Sequence, residues 1–339
     1  MTAATRATPE TQYTPTASAA PGAGDAPRRH PAVLVAFRFA ATMVATALVH
    51  AAPAAAQQPD SILIARGLAQ CRTCAPSWFA DQKPVRIYGN TYYVGTRGLG
   101  AILVTSPHGH ILIDGGLPQS PPLIVAHIRA LGFRVRDVKL ILNTHAHYDH
   151  AGGIAELAKA SGAVVAASAP SAAWLERGAS GKNDPQYGIA RHFPAVPHVR
   201  VIRDGEVVRV GDLALTAHLT PGHTPGGTSW SWQSCEAGRC LEIVYADSQT
   251  PVSADDFLFT KSRGYPTAIA DFAHSAKVLD GLRCDILVTP HPEASALWDR
   301  VAARDSGRAD ALIDASACKR YAAAARAAVS KRIAKERGQ

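Results

Sequence analysis

The sequence predicts an α/β protein built as a four-layer αββα sandwich, in which two facing sheets lie between two helical layers. Two observations support this architecture. Strand patterns recur in residues 84–168, as in A-I-L-V-T and V-K-L-I-L, and again in residues 199–290, as in E-I-V-Y-A and D-I-L-V-T. Each half also has helix patterns among its strands. Each half would therefore supply one sheet and its helices. The loops at the strand ends would lie along one edge, between the two halves.

The helix patterns can be placed from their end signals. In the first half, a pattern begins at Ser120, a candidate N-cap residue, with Pro121 in the first turn. The run A-G-G-I-A-E-L-A-K-A-S-G predicts a second helix over residues 151–162. In the second half, a helix is expected over about residues 266–282, and the chain ends in helices.

The first 56 residues are predicted to be a leader that is not part of the fold. Residues 1–27 are rich in Ala, Thr, Pro and Gly, which is typical of disorder. An R-R pair and a mostly apolar run over residues 32–52 then lead to A-A-A-Q, which fits a signal-peptidase site ending near Ala56. A membrane anchor is the alternative, but Arg38, His50 and Pro53 interrupt the apolar run. We expect export to the periplasm and a single mature domain over residues 57–339 without a membrane segment.

The net charge of +8 raises the question of a nucleic-acid partner. The excess lies in residues 1–56 and 319–339, so the segment between them is neutral. A basic face on a terminal helix is usually a solvated face. We therefore expect no nucleic-acid partner and a monomeric protein.

The six cysteines fit an exported chain. Cys235 and Cys240 bracket the short turn E-A-G-R, a spacing that a disulfide at a hairpin end can close. Cys284 and Cys318 remain as a distant pair. The C-x-x-C run at residues 71–74 has a redox or zinc-knuckle alternative. Since no second C-x-x-C run is present, a local disulfide is favoured.

The stretch N-T-H-A-H-Y-D-H-A-G-G, residues 143–153, concentrates metal-capable side chains. His145 and His147 are two apart, which suits an extended segment where both side chains point the same way. Asp149 and His150 follow at the expected start of a helix. Because adjacent side chains diverge, four groups from one short loop do not easily surround one ion. Two ions are the simplest solution.

A catalytic zinc ion typically has three protein ligands and an open position, so each ion needs a further ligand from elsewhere. His223 in T-P-G-H-T-P-G-G and His291 in V-T-P-H-P follow strand patterns, in loops that Gly and Pro punctuate. Asp247 ends the run V-Y-A-D-S, and Asp114 ends I-L-I-D-G-G. These four residues are the further candidates.

With these residues the chain resembles the metallo-β-lactamase superfamily of dinuclear metallohydrolases. The resemblance rests on H-x-H-x-D-H, on G-H in T-P-G-H-T and on D-G-G after a strand. Within the superfamily the sequence is most similar to the third subclass of class B β-lactamases. His145 stands where another subclass has Asn, Y-A-D-S lacks the cysteine ligand of the first two subclasses, and T-P-H-P-E-A-S occupies residues 289–295.

The resemblance implies two Zn²⁺ ions per chain and a small-molecule β-lactam substrate. The first ion would be held by His145, His147 and His223, and the second by Asp149, His150 and His291. These six residues would also be the catalytic set, with Asp149 orienting a zinc-activated hydroxide that attacks the lactam carbonyl.

The resemblance also assigns residues around the two ions. Ser248, Thr250 and Gln186 would bind the substrate, and Trp78 would line the cleft. Asp114 would accept hydrogen bonds near the metal loop, and Asp247 would not be a ligand. Two alternatives remain: another exported dinuclear hydrolase of the same fold, such as a lactonase or another ester or amide hydrolase, and an exported zinc-binding protein without turnover.

Overall fold

The computed structural model describes residue 71 and residues 74–338. The predicted leader, residues 1–56, lies outside these residues. The structure has two sheets. The seven strands of the first sheet are β1 (Val85–Tyr88), β2 (Thr91–Tyr93), β3 (Ile102–Val104), β4 (His110–Ile113), β5 (Val138–Leu142), β6 (Val164–Ser168) and β7 (Arg200–Ile202), in that spatial order. The second sheet contains β8 (Val207–Val210), β9 (Leu213–Leu219), β10 (Thr228–Glu236), β11 (Arg239–Tyr245) and β12 (Ile286–Val288), in the order β12-β11-β10-β9-β8.

Helices accompany both sheets. Those of the first half are α1 (Pro121–Ala130), α2 (Tyr148–Ala151), α3 (Ile154–Ser161) and α4 (Ala169–Arg177). Those of the second half are α5 (Ala268–Gly281), α6 (Leu297–Asp305) and α7 (Ala317–Glu336). Three short 3₁₀ turns, Pro76–Trp78, Val135–Asp137 and Pro292–Ser295, lie in loops. None of the helices in the described part of the chain is long and apolar enough to cross a membrane.

The layering follows from the alternation of side chains along each strand. In β4, Ile111 and Ile113 enter the core between the two sheets, whereas Leu112 faces the core shared with α1 and α3. In β11, Tyr245 enters the core between the sheets, whereas Val244 packs against side chains of α5 and α7. Both sheets are therefore covered on both faces, and the predicted αββα sandwich is confirmed.

The helix predicted over residues 151–162 is divided into α2 and α3 at Gly152 and Gly153. A β-carbon on Gly153 would collide with the carbonyl oxygen of Gly115, and one on Gly152 would collide with Pro118. The two glycines thus let the segment after the histidine motif pack directly on the D-G-G turn after β4. At the start of α1, the Ser120 hydroxyl accepts a hydrogen bond from the backbone N–H of Leu117. It therefore closes the preceding turn and does not cap a helical N–H group.

The three expected disulfides are present. Cys235 and Cys240 face each other across the β10–β11 hairpin. Cys284, just before β12, is joined to Cys318 in α7. Cys71 is joined to Cys74 in front of the first 3₁₀ turn. The second link anchors the start of the C-terminal helix beside β12, and the third closes a short turn within the N-terminal segment.

Candidate metal centre

The loops with the candidate ligands meet at one edge because of strand direction. β4, β5 and β6 are parallel, so the loops that follow them leave the first sheet at one edge. In the second sheet, β12 is parallel to β11, whereas β10 is antiparallel to both β9 and β11. The β9–β10 loop and the segments after β11 and β12 therefore also share one edge. The two edges are tied together, since Thr228 N–H donates to the carbonyl of Thr144 at 2.8 Å.

Asp114, at the end of β4, holds the histidine loop in place. One carboxylate oxygen accepts the backbone N–H of Thr144 at 2.8 Å and the side-chain amide of Asn143 at 3.1 Å. The other accepts the hydroxyl groups of Thr144 at 2.8 Å and Tyr245 at 3.2 Å. Burial raises the pKa of Asp114 to about 6, although the charge of His150 and these hydrogen bonds act against burial. The carboxylate lies behind the loop, as the resemblance implies.

The six predicted ligands come together in two groups. The potential ligand atoms of His145, His147 and His223 lie within 4.8 Å of one another, and so do those of His145, Asp149 and His150. His291 completes the second group, because its Nε2 lies 3.2 Å from Nε2 of His150. Oδ2 of Asp149 lies 3.1 Å from Nε2 of His150 and 3.3 Å from Nε2 of His291. His145 lies between the two groups.

Each histidine of the first group has an outward hydrogen-bond acceptor. Nδ1 of His145 is 2.7 Å from Asp247 Oδ1, and Nδ1 of His223 is 2.8 Å from the carbonyl of Thr250. Nε2 of His147 is 3.1 and 3.0 Å from the two carboxylate oxygens of Asp184. An acceptor on one ring nitrogen fixes the tautomer that leaves the other nitrogen free to bind a metal. The inward nitrogen is therefore Nε2 in His145 and His223, and Nδ1 in His147.

The donor set fits zinc. Nε2 of His145 is buried and has no hydrogen-bond partner among the described residues, so it points into the cluster with nothing from the chain to satisfy it. Two nitrogens that each lie about 2.0–2.1 Å from a tetrahedral zinc ion are roughly 3.3 Å apart. The 3.2 Å between the Nε2 atoms of His150 and His291 matches that separation. Imidazole nitrogen with one carboxylate oxygen is a usual ligand set of catalytic zinc.

Burial and charge prepare these groups as ligands. Burial, assisted by the charge of His147, lowers the pKa of His223 to about 3, and burial also holds the pKa of His145 well below its usual value. Both rings therefore stay neutral, which is the form that binds a metal. Burial alone would raise the pKa of Asp149, but His150 and His291 lower it well below the usual value. Asp149 is consequently ionised at neutral pH.

The residues expected to contact a substrate border the cluster on two sides. Nε2 of Gln186 lies 3.5 Å from Nδ1 of His147 and 3.4 Å from Nε2 of His223. Beside the second group, Trp78, Ser248, Thr250 and His291 line a cavity of about 520 Å³ to which alanines of α7 also contribute. The ring of Trp78 lies 5.6 Å from that of His291. Thr250 also contacts a candidate ligand, because its carbonyl accepts a hydrogen bond from the outward nitrogen of His223.

Sequence reasoning missed Asp184 altogether. The residue lies in D-P-Q-Y-G, in an irregular loop between α4 and β7 without a periodic pattern, and no other His, Cys, Asp or Glu lies within five residues of it. Its carboxylate is fully buried against His147, 37 residues earlier in the chain. The only nearby signal was Gln186, which the resemblance had assigned to the substrate.

The Metallo-beta-lactamase superfamily matches residues 100–237 of this chain. Among curated proteins, the chain is 31% identical over 140 residues to "Probable metallo-hydrolase YflN" of Bacillus subtilis (strain 168), covering 38% of this chain and 52% of that protein. It is 34% identical over 129 residues to a "Hydroxyacylglutathione hydrolase" of Bradyrhizobium sp. (strain ORS 278), covering 38% and 41%. It is 30% identical over 154 residues to "N-acyl homoserine lactonase AttM" of Agrobacterium fabrum (strain C58 / ATCC 33970), covering 38% and 57%. The chain thus spans about half the length of the curated relatives it matches.

Solved structures match over more of the chain. "Rm3 metallo-beta-lactamase" is 55% identical with a TM-score of 0.76, covering 77% of this chain and 97% of that chain. MEM-A1, a subclass B3 metallo-beta-lactamase isolated from a soil metagenome library, is 48% identical with a TM-score of 0.76, covering 77% and 99%. The metallo-beta-lactamase SMB-1 is 46% identical with a TM-score of 0.74, covering 76% and 99%. The chain therefore belongs to the metallo-β-lactamase superfamily, and it matches these β-lactamases over nearly their whole length.

Proposed function

We propose that this protein is an exported, monomeric β-lactamase that hydrolyses the lactam amide bond of penicillins, cephalosporins and carbapenems with two zinc ions. The observation that carries the proposal is the pair of ligand groups, which share His145 and lie beside a cavity suited to a small molecule. The identity of 55% to Rm3 metallo-beta-lactamase and of 48% to MEM-A1 supports the choice of substrate class.

His145, His147 and His223 would hold the first ion, and Asp149, His150 and His291 the second. When bound, zinc lowers the pKa of a water molecule towards neutrality, so that hydroxide is available for attack, and it polarises the substrate carbonyl. The ionised carboxylate of Asp149 can accept a hydrogen bond from that water and so orient it. Ser248 and Thr250 have hydroxyl groups that can bind the substrate carboxylate from the cavity side. The Gln186 amide, beside His147 and His223, can donate to the body of the substrate.

A lactonase or a thioester hydrolase is the second candidate, because curated relatives have those activities in their names. The position of Asp247 argues against it. An aspartate that bridges two ions must lie between the two ligand groups. Asp247 instead contacts the outward nitrogen of His145, behind the ring. This contact supports a role for Asp247 in orienting His145 and not in bridging two metals.

The test is a hydrolysis panel with zinc-loaded protein on a penicillin, a cephalosporin, a carbapenem, an acyl homoserine lactone and hydroxyacylglutathione. We expect rapid opening of the β-lactams and complete loss after treatment with a chelator, with recovery on adding zinc. A protein that opens the lactone or the thioester but none of the β-lactams would refute the proposal. Hydrolysis that persists in chelator would refute the zinc mechanism.

A further inference from the structure

We propose that Asp184 is a positioning residue that holds both the ring of His147 and the turn that presents Gln186. The first zinc site and the substrate-facing amide would then depend on one carboxylate. The inference rests on the proposed zinc site and does not depend on which substrate is hydrolysed.

The contacts of Asp184 exceed what a loop residue needs for packing. Its side chain is fully buried, and both of its oxygens lie within 3.1 Å of Nε2 of His147. One oxygen also accepts the backbone N–H of Gln186 at 2.9 Å, and the Ser180 hydroxyl donates to the same carboxylate. The carboxylate therefore joins both ends of the segment 180–186 to a candidate metal ligand.

The ring of His147 has little freedom while these contacts last. The ring of Trp174 stacks on it at 6.5 Å with an interplanar angle of 21°, and the rings of His145 and His223 stand at steep angles to it. The contact with Asp184 then determines which ring nitrogen of His147 faces the cluster. With Nε2 bound outward, Nδ1 faces inward. A flipped ring would leave a buried carboxylate without its partner, which is costly.

The loop is equally constrained. Tyr187 N–H donates to the carbonyl of Asp184, and Ala254 N–H donates to the carbonyl of Pro185. The second of these bonds ties the loop to the segment that follows Thr250. The side-chain amide of Gln186 thereby reaches 3.4–3.5 Å from the inward nitrogens of two candidate ligands. If the carboxylate were neutralised, the ring and the amide would both lose their anchor.

The test compares Asp184→Asn with Asp285→Asn. Asparagine keeps the size of the side chain but removes the charge and one acceptor. Asp285 is a matched control, since it accepts a backbone N–H from Glu242 at 2.8 Å and lies just before β12, at the end of that strand opposite to His291. Chelator competition measures the affinity for the more tightly held zinc ion. Asp184→Asn should lower that affinity about 10–100-fold, which is the usual effect of removing the outer partner of a ligand.

Three further measurements separate positioning from a merely structural role. The visible spectrum of the Co²⁺-substituted protein should change in Asp184→Asn, and KM for a β-lactam should rise as Gln186 moves. Trypsin should cleave faster after Lys182, an exposed residue of the same loop. Asp285→Asn should match the wild type throughout. If Asp184→Asn and Asp285→Asn agree within about twofold in zinc affinity, the inference is overturned.

A wild-type measurement covers the case in which Asp184→Asn does not fold. ¹⁵N NMR of the imidazole rings in the zinc-loaded protein should show His147 protonated at Nε2, and protonation at Nδ1 would overturn the inference. The two proposals fail separately. Wild-type protein that binds zinc but opens no β-lactam contradicts the proposed substrate alone, since the affinity comparison still decides the role of Asp184.

Discussion

The two groups of candidate zinc ligands differ in how their imidazole rings are held. In the first group, His145, His147 and His223 are buried, and each has an outward acceptor from another part of the chain. In the second group, no described residue accepts a hydrogen bond from Nδ1 of His150. The side chain of His291 is 25% exposed, although it hydrogen-bonds to the backbone of Gly98.

This difference predicts that the two proposed ions are not bound equally. A ring that is fixed in advance loses little freedom when it binds a metal, whereas a partly exposed ring must be ordered at that moment. The first group should therefore retain its ion more firmly than the second. Three experiments test whether the first ion is the more firmly held.

The largest effect should come from His145→Ala compared with His291→Ala. His145 is a proposed ligand of the more firmly held first ion, and its ligand atom also lies close to those of Asp149 and His150, so its loss should reduce zinc to below one ion per chain after dialysis. Since metal stabilisation of the transition state amounts to several kcal/mol, kcat/KM for a β-lactam should fall on the order of 10³-fold. His291→Ala should keep about one firmly bound ion and lose only the second.

Metal analysis by mass spectrometry and steady-state kinetics on the same samples measure both outcomes. Circular dichroism is the control that each variant is folded. Two zinc ions per chain in His291→Ala would contradict the assignment of His291 to the second group. Equal zinc content in the two variants would contradict the firmer binding expected of the first ion.

A smaller effect is expected from acid. A histidine binds zinc only when it is neutral, and the pKa of His223 is about 3, so protons compete poorly for that ring. Burial would lower the pKa of His291 as well, but hydrogen bonding to Asp149 and its charge raise the pKa above the usual value. In the first group only the pKa of His147 is raised, because burial, which would lower it, is outweighed by the charge and hydrogen bond of Asp184, whereas the rings of His145 and His223 stay neutral. As the pH falls through the ordinary histidine pKa of about 6.5, protons should therefore displace the second ion first.

The measurement is zinc content after equilibration in a series of buffers from pH 8 to pH 4, with the Co²⁺-substituted protein as a spectroscopic check. We expect two separate steps, of which the second-group ion gives the one at higher pH. Release of both ions in a single step, or earlier release from the group of His145, His147 and His223, would contradict the expected order of release.

The smallest effect should come from Trp78→Ala. The indole ring packs on His291, and an aromatic pair of this kind contributes about 0.5–1.5 kcal/mol. Its removal should weaken binding of the second ion by roughly 2–10-fold. Stepwise chelator titration reports both affinities, so the first ion is the internal control. If the affinities for both ions fall together, Trp78 stabilises the whole centre, and this result contradicts the expected difference between the two ions.

Much of the candidate site could be predicted because its chemistry is local in sequence. The spacing H-x-H-x-D-H is unusual in itself, and His223 and His291 stand in loops that Gly and Pro mark as strand ends. The hairpin disulfide was predictable for the same reason, since Cys235 and Cys240 are only five residues apart. Such features depend on residues that are close together in the chain, so they can be recognised in the sequence directly.

Asp184 and the role of Asp247 could not be predicted because their contacts span distant residues. Asp247 contacts His145 across 102 residues, and Asp184 contacts His147 across 37. Asp184 has no periodic pattern or spacing that distinguishes it from the exposed aspartates of other loops, and the strand end that marks Asp247 does not show that its carboxylate contacts His145. Their importance comes from burial beside an imidazole ring, which exists only after the two sheets have packed together.

The sequence alone predicts which types of metal ligand are available, the alternation of side chains that builds two sheets, and the loops that contain the ligands. The tertiary structure decided which nitrogen of each ring faces inward, which carboxylate holds it and which ligand group is the less protected. The physical reason is that alternation and loop spacing are properties of a short segment. Burial and hydrogen bonding of a ring instead depend on strands and loops that fold against it from elsewhere in the chain.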